Sequence, residues 1–391
     1  MDLEAFRWLL SDEGRSLLAR AEDVYDGQPD HALEAAGVLR REASPEHVAA
    51  AMTQVELRHR AKAKFGDLAA SMFFTPDGLE QSTRLRVAAH RAARVAAAEP
   101  PSVIDVGCGI GGDLVAFARA GLTAAGIDRD PLRVAVASAN LDALGLGGAV
   151  QVADAESLDL SGFGVVFADP ARRTDRGRVF DLDAYEPPWP FVERLLQRPS
   201  VVKIAPGIPH DVVPDGVEAE WVSDEGDLKE AALWSPQLAI ARRRATVIRP
   251  GGLATLTDQD DPGDRSMRPP QRFLYEPDDA VIRAGLVTAV AAGVHGGLMD
   301  EHIAYVTSDE AFSTPFARTY EVLETLPYRE KALKAALRER GVGRLTIKKR
   351  GVNVVPEELR RQLALRGDEE ATLVLTRVWG KGTALLVRPV R

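Results

Sequence analysis

In roughly the first 97 residues, apolar positions recur at helical spacing. Ala49, Met52, Val55 and Leu57 follow Ser44-Pro45-Glu46, which supplies an N-cap, a proline at the first helical position and an acid in the first turn. Helices are therefore predicted over residues 1–97, interrupted at Thr75-Pro76-Asp77-Gly78 and resuming as one long pattern over LEQSTRLRVAAHRAARVAAA. From Ser102 the texture changes to short apolar runs alternating with helical segments. VIDV, TAAGID, VQVAD, GVVFAD and SVVKIAP read as buried strands, with helices over DLVAFARA and PLRVAVASANLDALG between them. The second of these helices has Asp130 as N-cap, Pro131 at its first position and Gly145 just past its end. Such alternation predicts an α/β fold with a parallel sheet covered on both faces. EAEWVS and RATVIRP are expected to close that sheet as an antiparallel pair.

After Arg249-Pro250-Gly251-Gly252, the polar stretch TDQDDPGDRSMRPPQR reads as a linker, and AVIRAGLVTAVAAG with HIAYVTSD as a small α/β segment. The C-terminal part runs YEVLETL, a helix from Arg329 to about Arg340, RLTIKKRG, a helix over PEELRRQL, and two apolar strands. Those strands meet at Trp379 to Gly382, where two glycines permit a tight turn. The expected organisation is a helical region over 1–97, an α/β domain over 98–252, a linker and small ferredoxin-like α/β segment over 253–317, and a small α+β region over 318–391.

Composition narrows the function classes. No run of about 18 apolar residues occurs, which argues against a spanning helix. MDLEAFRWLLSDEGR is acidic and amphipathic rather than a signal peptide, so a cytoplasmic protein is expected. Cys108 is the single cysteine, excluding an intramolecular disulfide and a cysteine-rich metal site; the seven histidines are scattered, and no metal is expected. A net charge of −9 speaks against coating nucleic acid by charge alone. Yet residues 318–391 hold 17 Lys and Arg against 9 Asp and Glu, a local +8 that leaves −17 for the rest. Either this part meets an anionic partner or its surface is simply basic.

The chemistry concentrates at strand ends. Gly107, Gly109 and Gly112 fit G-x-G-x-x-G between a strand and a helix; with Gly111 they form a turn that lets backbone approach a nucleotide. A plain tight turn or a NAD or FAD site has the same spacing. Asp105 sits inside an apolar strand, where a carboxylate is costly without a partner. Asp128 ends the next strand, placed to accept both ribose hydroxyls. Asp154 ends the third strand, in line with an adenine amino group, and Asp169-Pro170 ends the fourth, where ligands sit. Carboxylates at four successive strand ends are hard to explain as core.

VIDVGCGIGGD, GID, ADA and FADPAR resemble motifs I to IV of the class I, Rossmann-like methyltransferases. FFTPDGLEQSTR, DPARR, VKIAPGI, LKEAALW, YEPDDAVIRAG and LTIKKRGVNV extend the match to a bacterial group of methyltransferases with a C-terminal THUMP-like domain, over most of the chain. The resemblance implies S-adenosyl-L-methionine as cofactor, held by Asp105, Gly107, Gly109, Gly111, Asp128 and Asp154. It implies RNA as partner, since THUMP domains accompany RNA-modifying enzymes, with tRNA or rRNA the expected substrate. The catalytic candidates are Asp169, Pro170 and Arg172. The Asp-Pro of the amine-methylating pattern is kept, but its second proline and aromatic are replaced by Ala171-Arg172. Arg172 or Arg173 can stack on a base or hold a phosphate, or can pair with Asp175 or Asp181. Tyr185 and Trp189 are candidate replacements for the missing aromatic. Lys203 and Glu230, in apolar strands or segments, need partners. Arg173, Lys348, Lys349 and Arg350 are the expected substrate contacts. The competing readings are a small-molecule or protein methyltransferase, a cofactor-binding RNA module without turnover, and an NAD-dependent oxidoreductase, against which Asp105 and Asp154 speak.

Overall fold

The computed structural model describes residues 1–172, 185–186 and 188–390, with 171, 172, 185 and 186 described by backbone alone. The chain divides into two compact units, Met1–Glu218 with Ala231–Ile240, and Ala219–Glu230 with Ala241–Arg391.

The first unit opens with α1 (Leu3–Leu9), α2 (Asp12–Val24), α3 (Ala32–Leu39), α4 (Pro45–Phe65), α5 (Pro76–Gln81) and α6 (Leu85–Ala97). Ser44 caps α4 by accepting from the His47 N–H at 3.3 Å. The helices share a core of Phe6, Leu9, Leu39, Val55 and Phe65 that also takes in Ile110 of the glycine loop. One predicted helix is broken: the chain leaves α5 at Ser82 and re-enters α6 only at Leu85. The reason is Lys64, whose Nζ donates to the carbonyls of Leu79 at 2.8 Å, Glu80 at 2.6 Å and Ser82 at 2.9 Å. These acceptors are satisfied without a continuing helix.

A parallel sheet follows from β1 (Val103–Val106), α7 (Gly112–Arg119), β2 (Ala124–Asp128), α8 (Pro131–Ala143), β3 (Ala149–Val152) and β4 (Val165–Ala168). β1 lies between β2 and β4, and β3 lies beyond β2. Short β5 (Ala171–Arg172) pairs antiparallel with β6 (Tyr185–Glu186), then α9 (Trp189–Leu195) leads to β7 (Ser200–Ile204), parallel to β4. β8 (Glu218–Asp224) and β9 (Asp227–Trp234) come next, and Ala231–Trp234 of β9 runs antiparallel to β7. Val103, Leu114, Phe117, Val165, Phe167 and Trp234 share one buried cluster, with Phe117 and Phe167 edge to face at 5.5 Å.

In the second unit, β10 (Arg243–Arg249) is antiparallel to β11 (Gly252–Thr257) but parallel to β8. The expected antiparallel pairing of EAEWVS with RATVIRP is therefore corrected. The chain reverses at Glu225-Gly226, with φ of 56° and 87°, and LKEAALW returns as the strand β9. With one strand run in between, β10 regains the direction of β8. Then β12 (Phe273–Pro277), α10 (Asp279–Arg283), α11 (Val287–Gly293), β13 (Gly297–Asp300), β14 (Ile303–Ser308), β15 (Ala317–Leu326), α12 (Glu330–Glu339), β16 (Val342–Lys349), α13 (Pro356–Leu363), β17 (Glu369–Val378) and β18 (Lys381–Pro389) build a sheet ordered β13-β14-β12-β15-β18-β17-β16. It curls: at the β17–β18 turn the Trp379 N–H donates to the Met299 carbonyl at 3.2 Å and the Gly380 N–H to Asp300 Oδ2 at 2.7 Å. Leu333, Leu337, Leu345, Ile347, Leu359 and Leu375 form a core on one face, and Leu274, Met299, Tyr305 and Val374 on the other.

Candidate active site

The glycine loop between β1 and α7 has two kinds of glycine. Gly107 and Gly109 take φ of 79° and 54°, and a β-carbon on either would meet no atom within 4 Å. Both therefore border open space in a conformation that L residues rarely adopt. Gly111, at φ 83°, is different: its β-carbon would stand 3.1 Å from that of Ala137 on α8, so it serves close helix packing. The loop is tied down by Asn140 of α8, whose Nδ2 donates to the Ile110 carbonyl at 2.8 Å. The same side chain accepts from the Phe73 N–H at 2.6 Å and donates to the Phe73 carbonyl at 3.1 Å. Gln54, fully buried, holds Phe74 by a matching pair of bonds at 2.7 and 3.0 Å. The FFTPDG segment is thus pinned between the helical region and the loop, and a β-carbon at Gly78 would lie 2.3 Å from Ile110 Cγ2.

Asp105, Asp113, Asp128 and Asp169 lie close enough to interact beside this loop. Asp105, 2% exposed, leaves its Oδ2 with no hydrogen-bond partner. Burial pushes its carboxyl well above the ordinary aspartate range; nearby Asp113, Asp169 and Asp128 raise it further, and Arg91 opposes them. Asp128 is also buried, and each oxygen accepts one backbone N–H, Oδ2 from Gly109 at 3.0 Å and Oδ1 from Asp130 at 2.9 Å. That holds the carboxylate at the loop with lone pairs to spare. Asp113 forms a buried ion pair with Arg91, whose guanidinium lies 4.6 Å from the Phe167 ring centre. Asp154 is exposed beyond β3; a hydrogen bond from Arg129 at 2.8 Å holds its carboxyl below the usual range.

Asp169 stands just past β4, and Lys203 Nζ of β7 donates to its Oδ2 at 2.5 Å and to Thr83 Oγ1 at 3.2 Å. The partner that a charge in this strand needs is therefore Asp169. Thr83 reaches it only because the helix breaks at Ser82–Arg84. Thr83, Gln54 and Asn140 were missed by motif reading; the signal available was a buried amide or hydroxyl in an apolar neighbourhood. Pro170 is buried, and β5 sets Arg172 opposite Tyr185 in register. The Arg172 side chain and all of Arg173 lie outside the described residues. Trp189 is buried, with its Nε1 donating to Glu193 at 3.1 Å, and Glu230 is buried.

The C-terminal cations belong to the second unit. Lys348 Nζ meets Glu276 at 2.6 Å; burial works against its charge, but bonds to Glu276 and Tyr320 keep its pKa above the ordinary lysine value. Arg350 lies 3.5 Å from Asp279, and Arg344 pairs with Glu370 at 2.6 Å. Lys349 is exposed, with no such partner among the described residues. Among the described residues no His, Cys, Asp or Glu group has a metal-site arrangement, and no helix is long and apolar enough to cross a membrane.

Comparison with known proteins decides the family. Residues 103–176 match the methyltransferase domain family, 317–389 the THUMP domain-like family, and 2–61 a domain family of unknown function. An uncharacterized S-adenosylmethionine-dependent methyltransferase of Mycobacterium tuberculosis, represented in strains CDC 1551 and H37Rv, is 38% identical over 352 residues, 86% of this chain and 95% of the relative. The chain belongs to the S-adenosylmethionine-dependent methyltransferases. A crystal structure from Porphyromonas gingivalis W83, assigned as a methyltransferase, superposes with a TM-score of 0.76 at 24% identity, covering 96% of this chain and 99% of that one. At that identity the likeness shows the fold.

The methyltransferase's own residues fit its cofactor. An orphaned buried carboxylate oxygen at Asp105 suits an ammonium group, and the open face of Gly107 and Gly109 suits a nucleoside lying against bare backbone.

Proposed function

We propose that this methyltransferase modifies a base in structured RNA, tRNA or rRNA, through a site at the ends of β1, β2 and β4. When bound, S-adenosylmethionine supplies a methyl group activated on a sulfonium. Asp105 would receive its amino group, Asp128 its ribose hydroxyls and Asp154 the adenine edge, while Gly107, Gly109 and Gly111 shape the loop beneath. The observation that carries the reading is Asp169: it is held by Lys203 through one oxygen, beside the Asp105 carboxylate. Its other oxygen is left to accept an N–H of the methyl acceptor. Positioning of this kind supplies much of the rate in methyl transfer, which needs alignment more than proton relay.

RNA as substrate is supported by the THUMP-like module at 317–389 and the local +8 of residues 318–391. Arg172 and Arg173 follow the Asp169-Pro170 motif directly and are assigned to the substrate base or phosphate. Lys348 and Arg350 keep a place in that reading at the rim of the second unit, with Lys349 the cation best disposed for direct contact. The deciding experiment incubates the protein with tritiated-methyl cofactor and total RNA, total protein and small metabolites in parallel. Label in the RNA fraction is expected. Label confined to protein or metabolites overturns the RNA assignment and leaves the methyltransferase intact.

A further inference from the structure

The second unit holds a cavity of 290 Å³ beneath α12 and α13, at the end of the seven-stranded sheet. Its floor is apolar and buried, made by Leu333 of α12, Leu359 of α13 and Leu375 of β17. Tyr328, in the link between β15 and α12, forms one wall and remains 38% exposed. Its ring lies against Gly382, where a β-carbon would come within 2.6 Å of a ring carbon, so glycine there is what lets the tyrosine occupy this place. Glu358 and Gln362, one helical turn apart on α13, bring a carboxylate and an amide to the rim. At roughly 300 Å³, a cavity stands at the small end of ligand pockets. It suits one flat ring system rather than a peptide segment.

The charge next to it is specific. Lys349 pairs in register with Leu375 of the floor. By strand alternation it shares a face of β16 with Leu345 and Ile347, the face packed by the leucines of α12 and α13. Lys348 and Arg350 are held by Glu276 and Asp279, whereas Lys349 is exposed beside the cavity.

We propose that this cavity takes one unpaired nucleobase of the RNA. The base stacks on Tyr328, Glu358 and Gln362 meet its polar edge, and Lys349 meets the adjoining phosphate. Aromatic stacking with edge hydrogen bonds is how proteins hold splayed-out bases, and a carboxylate with an amide recognises exocyclic amino groups. Glu358 repels phosphate, so the backbone stays outside at Lys349 while the base enters. The inference rests on the RNA reading above and adds to it a site for single-stranded rather than duplex RNA.

The test titrates the full chain with a short single-stranded RNA carrying one 2-aminopurine, and with the same sequence as duplex. Binding should quench the probe, and the duplex should compete poorly. Tyr328→Phe should behave as the parent. Tyr328→Ala should lose the quench and weaken binding roughly five- to 150-fold, the range that base stacking supports. Lys349→Ala should lower the salt slope by about 0.7. A urea unfolding curve of the full chain that matches the parent's shows that each variant is folded. Parental affinity and quench in Tyr328→Ala overturn the proposal; if tritiated methyl still reaches RNA, the functional reading survives. Label in the protein fraction with no RNA binding by the parent overturns both.

Discussion

Two regions of the chain concentrate charge, and the fold treats them differently. At the ends of β1, β2 and β4 the charges are acidic, sit in an apolar frame, and include Asp105, whose Oδ2 has no partner. Around β16 the charges are basic and clustered, yet Arg344, Lys348 and Arg350 each have a carboxylate nearby. A buried carboxyl without a partner is expensive to ionise and calls for a cationic ligand; a run of surface charge is cheap and commonly satisfied within the fold. The same contrast recurs inside the first unit. Arg91 and Asp113 are as buried as Asp105, but they hold each other.

That pair supplies the largest expected effect. Asp113→Ala removes the carboxylate that pairs with buried Arg91, and stability should fall by about 3–5 kcal/mol, read from urea unfolding. A loss under 1 kcal/mol, on the scale of an exposed pair, would erase the distinction between paired and orphaned charges. Asp169→Ala should come next, lowering turnover about 100-fold through lost alignment, with affinity for S-adenosylhomocysteine nearly unchanged. Parental turnover would make the β4 motif structural. Asp128→Ala should weaken S-adenosylhomocysteine binding by about 1.5–3 kcal/mol in calorimetry, the worth of a charge-assisted contact. Unchanged affinity in the folded variant removes Asp128 from the cofactor site.

Asp105 sharpens the comparison through pH. Its folded carboxyl titrates above the unfolded value of about 3.9, so between those values the folded state holds a proton the unfolded state has released. Stability of the free protein should therefore fall as pH rises through that window, and Asp105→Asn should flatten the fall. Binding an ammonium group to the ionised carboxylate reverses the preference. Cofactor affinity should rise with pH through the window and level off above the free-protein value. An affinity that ignores pH in this range would separate Asp105 from the ligand's ammonium. The smallest effect contrasts Lys348 with Lys349. Lys348→Ala should lower stability by about 1 kcal/mol, having lost a half-buried partner, whereas Lys349→Ala should leave the urea midpoint in place. If both behave alike, the pairing seen on β16 does not set their roles.

Much of this was determined by the sequence alone. The alternation of apolar runs with capped helices specified the parallel strands, because period and cap chemistry are local properties of consecutive residues. The strand-end carboxylates and the G-x-G-x-x-G turn were legible for the same reason: each motif lies within one strand–turn–helix unit. Tertiary structure decided what depends on residues far apart in the chain. The direction of β10 against β8 followed from an intervening strand that reads ambiguously by period. The break between α5 and α6 came from Lys64 reaching over from α4, and it delivered Thr83 to Lys203 across 120 residues of chain. The partners of Lys348 and Arg350 lie on β12 and α10, brought near by the curl of the sheet. Charge and periodicity are written along the chain, but which charges neutralise one another is set by proximity in space, and that only packing supplies.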